Sequence, residues 1–183
     1  MIEIRFPDQS VRSYPEGTTP FEVAQSISEG LARNVLSAQF NNQTVEAATP
    51  LTQDGDIQLF TWNNDQGKTA FWHSSAHVLA QAILALYPNA KLTIGPAIDK
   101  GFYYDVDFGD HSITEKELRD LEKKFLEFAR QKFEFKMRDA TKQEALDFYQ
   151  KDENPYKVEL IENLEANAVS VYVILFLFKH SYT

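Results

Sequence analysis

The order of apolar periods on either side of residue 62 limits the fold more than any other feature, with strand, helix and strand patterns in the first part and long helical stripes dominating the second. In the first part, Ile2, Ile4 and Phe6 alternate with Glu3 and Arg5, the pattern of a half-buried strand. Pro7-Asp8-Gln9-Ser10 is a turn, and Val11–Tyr14 is the return strand of a hairpin. After the break at Pro15-Glu16-Gly17, a helix opens with Thr19 as N-cap, Pro20 at its first position and Glu22 closing a capping box. Phe21, Ala24 and Ile27 share one side of it, Val23 flanks them, and Gly30 is placed to end it. Val35, Ala38 and Phe40 then lead to the tight-turn pair Asn41-Asn42, and Ile57, Leu59 and Phe60 form a last strand after Asp54-Gly55-Asp56.

Hairpin, helix and further strands, in that order, describe a β-grasp (ubiquitin-like) unit over residues 1–62. Asn63–Gly67 is polar and is expected to be a flexible boundary. Beyond it the period is helical. Trp72, Ala76, Leu79, Ile83 and Leu86 make one apolar stripe on a helix over Thr69–Leu86. Lys91–Ile94 and Phe102–Val106 read as strands around Gly95-Pro96 and Gly101. Thr114 and Glu117 form a second capping box, for a helix carrying Leu118, Leu121, Phe125 and Phe128 on one face. Phe133–Met137 reads as a short strand, and Thr141 with Glu144 caps a helix bearing Leu146 and Tyr149. The expected class is α+β: a β-grasp unit, then an α/β two-layer unit over residues 63–165, then an unassigned apolar tail over 166–183.

Composition removes several functions. The chain has no cysteine, which excludes disulfides, Cys-ligated zinc, iron–sulfur clusters and a thiol nucleophile. There are 27 acidic and 18 basic residues, a net charge of −9. Both halves are net acidic, unlike a basic nucleic-acid module, so any nucleic acid is expected at a local patch. No basic stretch followed by an apolar core marks a signal peptide at the N-terminus. Val169–Phe178 is apolar but too short to span a bilayer.

One constellation carries chemistry. In His73-Ser74-Ser75-Ala76-His77, two imidazoles four residues apart share a helix face, about 6 Å from one another. Such a pair can bind a metal ion given further ligands, or hold and polarise a water for hydrolysis, or simply occupy the helix boundary without a shared task. Ser74 stands where the zincin glutamate would be, which excludes that motif. In Gly101-Phe102-Tyr103-Tyr104-Asp105 two phenols flank a turn, and Lys157 lies in Pro155-Tyr156-Lys157-Val158; taken alone, these read as a strand and a solvated charge. Gly67-Lys68-Thr69 matches the end of a phosphate-binding loop, but Trp62 occupies the place of the required first glycine.

Taken in order, these pieces resemble the N-terminal part of the threonyl-tRNA synthetases. Phe6–Ser10, Glu16–Thr19, Ala24–Leu31 and Asp54–Thr61 follow the TGS domain pattern, with Gln9 where a glycine is usual. His73–Ala80, Ile94–Pro96, Gly101–Asp105 and Pro155–Ile161 are similar to the start of the editing domain. The resemblance covers residues 1–165. It implies that His73 and His77 stand beside an attacking water and the terminal adenosine, that Tyr104 walls the pocket, and that Lys157 lies near the tRNA end.

The family completes its editing site with a Cys-x-x-x-His segment downstream of the lysine, which this cysteine-free chain lacks. The resemblance therefore implies an editing domain that is incomplete at its C-terminus, with weak or absent editing, and no room for an aminoacylation domain. ATP, magnesium and zinc belong to that missing part, so no cofactor is expected here. The implied partner is the acceptor end of a threonine-specific tRNA, with a cytoplasmic, membrane-free location and a monomeric state for the fragment. From Ala166 the expectation is either a tail foreign to the family or a C-terminal strand, since Val, Ile, Tyr and Phe favour strands. Two other functions compete: a non-catalytic RNA- or partner-binding module, and a metal hydrolase using His73 and His77 with a carboxylate such as Asp105.

Overall fold

The computed structural model describes residues 1–131, 135–165 and 167–174. Its contacts divide the chain into two units, residues 1–74 with 97–102, and residues 75–96 with 103–183.

The first unit is built on β1 (Ile2–Arg5), β2 (Val11–Tyr14), β3 (Ser37–Phe40), β4 (Gln43–Glu46) and β5 (Gly55–Phe60), in the order β2-β1-β5-β3-β4. β1 and β5 run parallel at the centre, and the other neighbours are antiparallel. A parallel pair needs a crossover, and α1 (Pro20–Ile27) and α2 (Glu29–Ala32) lie in that connection. Alternation puts Ile2 and Ile4 inside, where they pack with Tyr14, Val23, Ala38, Phe40, Leu51 and Ile57. Asn41 and Asn42 both have positive φ, +48° and +64°, which suits the two-residue turn between β3 and β4.

The capping box of α1 forms as its sequence dictates: the Thr19 hydroxyl accepts the Glu22 N–H, and the Glu22 carboxylate accepts the Thr19 N–H at 2.8 Å. Gly30, however, does not end this helix. Ser28 caps a second short helix by accepting the Leu31 N–H, and Gly30 lies inside it. The segment expected to be a flexible boundary is also ordered. Asn64 accepts the Thr61 N–H at 2.9 Å, and α3 (Asp65–Leu86) begins at Asp65. Gly67 is buried there, and a Cβ on it would stand 2.1 Å from the Thr61 carbonyl oxygen. That close approach, and no phosphate, accounts for the glycine.

The second unit packs differently. Its core joins Ala82 and Ile83 of α3 with Ala90, Leu92 and Leu121, and Tyr104, Val106, Phe125 and Phe128 lean on it. The elements are the C-terminal stretch of α3, β6 (Lys91–Leu92), β9 (Val106–Asp107), α4 (Glu115–Gln131), β10 (Phe135–Thr141), α5 (Lys142–Lys151), α6 (Pro155–Glu162) and β11 (Ala168–Ile174). β7 (Ala97–Ile98) and β8 (Gly101–Phe102) pair with each other within the first unit. The strand expected over Phe102–Val106 is thus two short ones: β8 pairs with β7, and β9 pairs with β6.

Four apolar positions placed on shared helix faces lie outside the core. Leu118, Phe21, Ile27 and Leu86 are 54%, 44%, 41% and 37% exposed. The capping boxes at Thr114–Glu117 and Thr141–Glu144 both form. The expected strand at Phe133–Met137 is observed as β10, beginning at Phe135; Phe133 lies outside the described residues. β10 pairs antiparallel with β11 from Phe135↔Ile174 to Thr141↔Ala168. The strand reading of the tail therefore holds over Ala168–Ile174, and residues 175–183 lie outside the described residues. No helix among the described residues is long and apolar enough to cross a membrane.

Candidate functional site

α3 places the two histidines. Its sequence is rich in Ala and Leu, strong helix formers, and it buries Ala76, Ala82 and Ile83. His73 is exposed and His77 half-buried, one turn apart on the same helix. Both residues have interaction partners. Ahead of them, Trp62, Phe71 and Trp72 meet edge to face at 5.1 to 5.5 Å, and the Trp72 ring lies 6.4 Å from that of Phe102. These contacts fix the N-terminal half of α3 to the end of β5 and to β8 within the first unit.

Tyr104 lies between β8 and β9 and is held in the second unit. Its ring covers Gly95, where a Cβ would come within 2.5 Å of it. Burial pushes its phenol up to about 12, with a smaller contribution from Tyr149. It is therefore a neutral hydrogen-bonding wall at any ordinary pH. The backbone on either side is ordered by bonds from Thr93 N–H to Asp105 O at 3.0 Å and from Asp105 N–H to Ile94 O at 3.2 Å.

Lys157 sits in the first turn of α6. Asn154 caps this helix and Pro155 takes the first position, where no N–H is needed. Burial pushes the Lys157 ammonium below the usual lysine value. Three hydrogen bonds dock this end of α6 onto the β6–β9 ladder. The Asn154 amide donates to the Leu92 carbonyl at 3.1 Å, the Lys91 ammonium to the Asp152 carbonyl at 2.5 Å, and the Tyr156 hydroxyl to the Asp107 carboxylate at 2.7 Å. The last bond holds the Asp107 carboxyl below the ordinary range. At the other end of α6, the Lys142 ammonium donates to the carbonyls of Glu162 and Leu164, where helix carbonyls lack partners.

A shallow groove of about 330 Å³ runs along α6, lined by Thr93, Ile94, Asp105, Tyr156, Glu159, Leu160 and Asn163. Neither Tyr104 nor Lys157 lines it. The sequence reading missed Asn154 and the Tyr156–Asp107 pair. The signal for the first was available: Asn followed by Pro is an N-cap followed by a favoured first helical residue. Nothing in the sequence pairs Tyr156 with Asp107. Among the described residues, no three His, Asp or Glu side chains group as a metal site, so His73, His77 and Asp105 do not form the metal centre considered above.

The TGS domain family matches residues 2–61, the part that forms the five-stranded sheet with its helices. Threonine–tRNA ligase of Flavobacterium johnsoniae is 56% identical over 170 residues, covering 93% of this chain and 26% of the relative. The same ligase of Flavobacterium psychrophilum is 55% identical over 170 residues, again 93% of this chain and 26% of the relative. That of Cytophaga hutchinsonii is 47% identical over 172 residues, 94% and 27% respectively. A match covering 94% of a 183-residue chain necessarily runs past Ala166, further than the motif resemblance reached. Residues 2–61 match the TGS domain family, and the chain is similar to the threonine–tRNA ligases over about a quarter of their length, consistent with their N-terminal region.

Proposed function

We propose that this chain is the TGS-plus-editing region of a threonine–tRNA ligase, meeting the acceptor end of a threonine-specific tRNA with His73, His77, Tyr104 and Lys157. The observation that carries the reading is the 56% identity to such a ligase over 170 residues, a span too long to be the TGS domain alone.

The reaction has a clear physical need. A pocket for threonine cannot fully reject serine, because one missing methyl is worth only about 1–3 kcal/mol. A second site can admit the smaller serine and hydrolyse its ester. Water adds to the ester carbonyl, the bond to the ribose oxygen breaks, and the proton ends on that ribose oxygen. An aminoacyl ester is already reactive, so placement of the water carries most of the acceleration. His73 and His77 orient that water and accept its proton through an imidazole nitrogen. Tyr104, held neutral, shapes the pocket. Lys157 pairs with a phosphate of the RNA end, and its depressed ammonium gains the counter-charge that burial denies it.

These 183 residues contain no cysteine, so no thiol of their own joins the histidines, and editing by them alone is weak or absent. Aminoacylation, with its ATP, magnesium and zinc, belongs to parts of the relatives that this chain does not span. Deacylation of mischarged seryl-tRNA tests the reading. The expected rate lies at or just above buffer; a rate well above buffer that His73→Ala abolishes would overturn the claim of weak editing.

A further inference from the structure

Asn154 is 4% exposed, and every polar group it owns is used. Its side-chain oxygen accepts the Lys157 N–H at 3.1 Å, and its amide donates to the Leu92 carbonyl at 3.1 Å. Its backbone N–H donates to the Tyr149 carbonyl at 3.0 Å, and its own carbonyl accepts the Val158 N–H at 3.2 Å. Capping a helix requires only the oxygen. Ser, Thr or Asp would serve as well. The amide donor is the part of Asn154 that capping does not explain, and it reaches across to β6.

β6 is the strand that carries the Tyr104 segment: Leu92 pairs with Val106, just past Tyr104. The backbone N–H of Asn154 meets the carbonyl of Tyr149, a residue whose side chain contributes to raising the Tyr104 phenol. One buried amide thus meets the supports of Tyr104 on one side and the backbone of Lys157 on the other. The preceding residue, Glu153, sits at φ +52°, a conformation that costs free energy for any side chain other than Gly, Asn or Asp and persists only where neighbours enforce it.

We propose that Asn154 is a positioning residue: its bridge from Leu92 to Lys157 sets where the Lys157 ammonium stands relative to the segment bearing Tyr104. This rests on the reading of Lys157 as a contact for the RNA end. The burial that depresses the Lys157 ammonium agrees with a side chain held in place and not left to find water.

The test is the titration of the Lys157 ammonium by NMR in the 183-residue chain, with its resonance assigned through Lys157→Arg. Asn154→Ser keeps the cap but cannot reach Leu92. The titration midpoint is expected to rise toward that of exposed lysines while the α6 amides stay protected. Lys91→Met removes a neighbouring tie, to the Asp152 carbonyl, and is expected to leave the midpoint where it was. An unchanged midpoint in Asn154→Ser, or an equal rise in Lys91→Met, overturns the proposal. Should Asn154→Ser fail to fold, Asn154→Thr also keeps a capping oxygen without the amide donor or a new charge, and the same two outcomes decide. The functional reading fails separately: Lys157→Ala that binds an acceptor-end RNA as well as the parent chain removes the role of Lys157 and leaves the titration result standing.

Discussion

The two units of this molecule hold themselves together in different ways. The first buries the alternate residues of one continuous sheet, and Ile4, Val23 and Ala38 have no exposed surface at all. The second has a smaller helix-centred core and is tied by side-chain bonds to backbone carbonyls, from Lys91, Lys142 and Asn154. A sheet core specifies its register many times over, because a one-residue slip would turn every apolar side chain outward. A set of single hydrogen-bond joints does not. It places particular groups, at the cost of relying on each one. That suits a second unit that holds His77, Tyr104 and Lys157, three of the four residues proposed to meet a substrate; His73 belongs to the first unit.

The largest expected effect breaks the first kind of order. Phe60→Ala removes a side chain that is 2% exposed and should cost about 3–5 kcal/mol in denaturant unfolding. Leu121→Ala in the second unit, at 9% exposure, should cost about 2–3 kcal/mol, since a looser site collapses more readily. Next comes the joint where α3 leaves the sheet. Gly67→Ala drives a methyl into the Thr61 carbonyl and should cost about 1–3 kcal/mol. Ser37→Ala should be the smallest and of opposite sign. Ser37 Oγ is buried without a hydrogen-bond partner among the described residues, and removing it should stabilise by about 1 kcal/mol.

Acid sharpens the same comparison. The Glu117 carboxylate receives hydrogen bonds from the Thr114 hydroxyl and N–H, which hold its pKa at about 2, below the usual 4.5. A folded-state pKa that is depressed means the stabilisation is present above about 4.5 and is lost as pH falls toward about 2. Glu144 in α5 and Glu22 in α1 are lowered for the same reason, by the N–H groups of Thr141 and Thr19 first. Amide exchange in α4 should therefore accelerate through that acid window before the sheet amides of the first unit do. Glu117→Gln should flatten the pH dependence in α4.

What could be read from the sequence follows from how local each signal is. The three capping boxes, the Asn41-Asn42 turn and the alternation of Ile2 and Ile4 involve neighbours along the chain, and all appear as expected. The misreadings come from contacts between distant residues. Gly67 looked like linker because nothing nearby reveals the Thr61 carbonyl against it. Phe102–Val106 looked like one strand, but its two ends pair with different partners, β7 and β6. Leu118 fits the helical stripe of α4 yet faces water, because the core meets that helix around Leu121, Phe125 and Phe128. The histidine pair was legible as a pair from spacing alone. Its chemistry was not, and came from several motifs in register. The N-cap of Asn154 is a local signal in Asn154-Pro155, whereas its bridge to Leu92, 62 residues away, leaves no local pattern.

The central proposal is that His73, His77, Tyr104 and Lys157 each contact the RNA end. The most direct measurement is an NMR titration of the chain with a non-hydrolysable seryl-adenosine that carries a 5′-phosphate for Lys157, the ester oxygen replaced by an amide nitrogen. Perturbations are expected to concentrate at those four residues and to be lost in Lys157→Ala. Saturating analogue that leaves all four unperturbed, or shifts only the β1–β5 sheet, would contradict the claim.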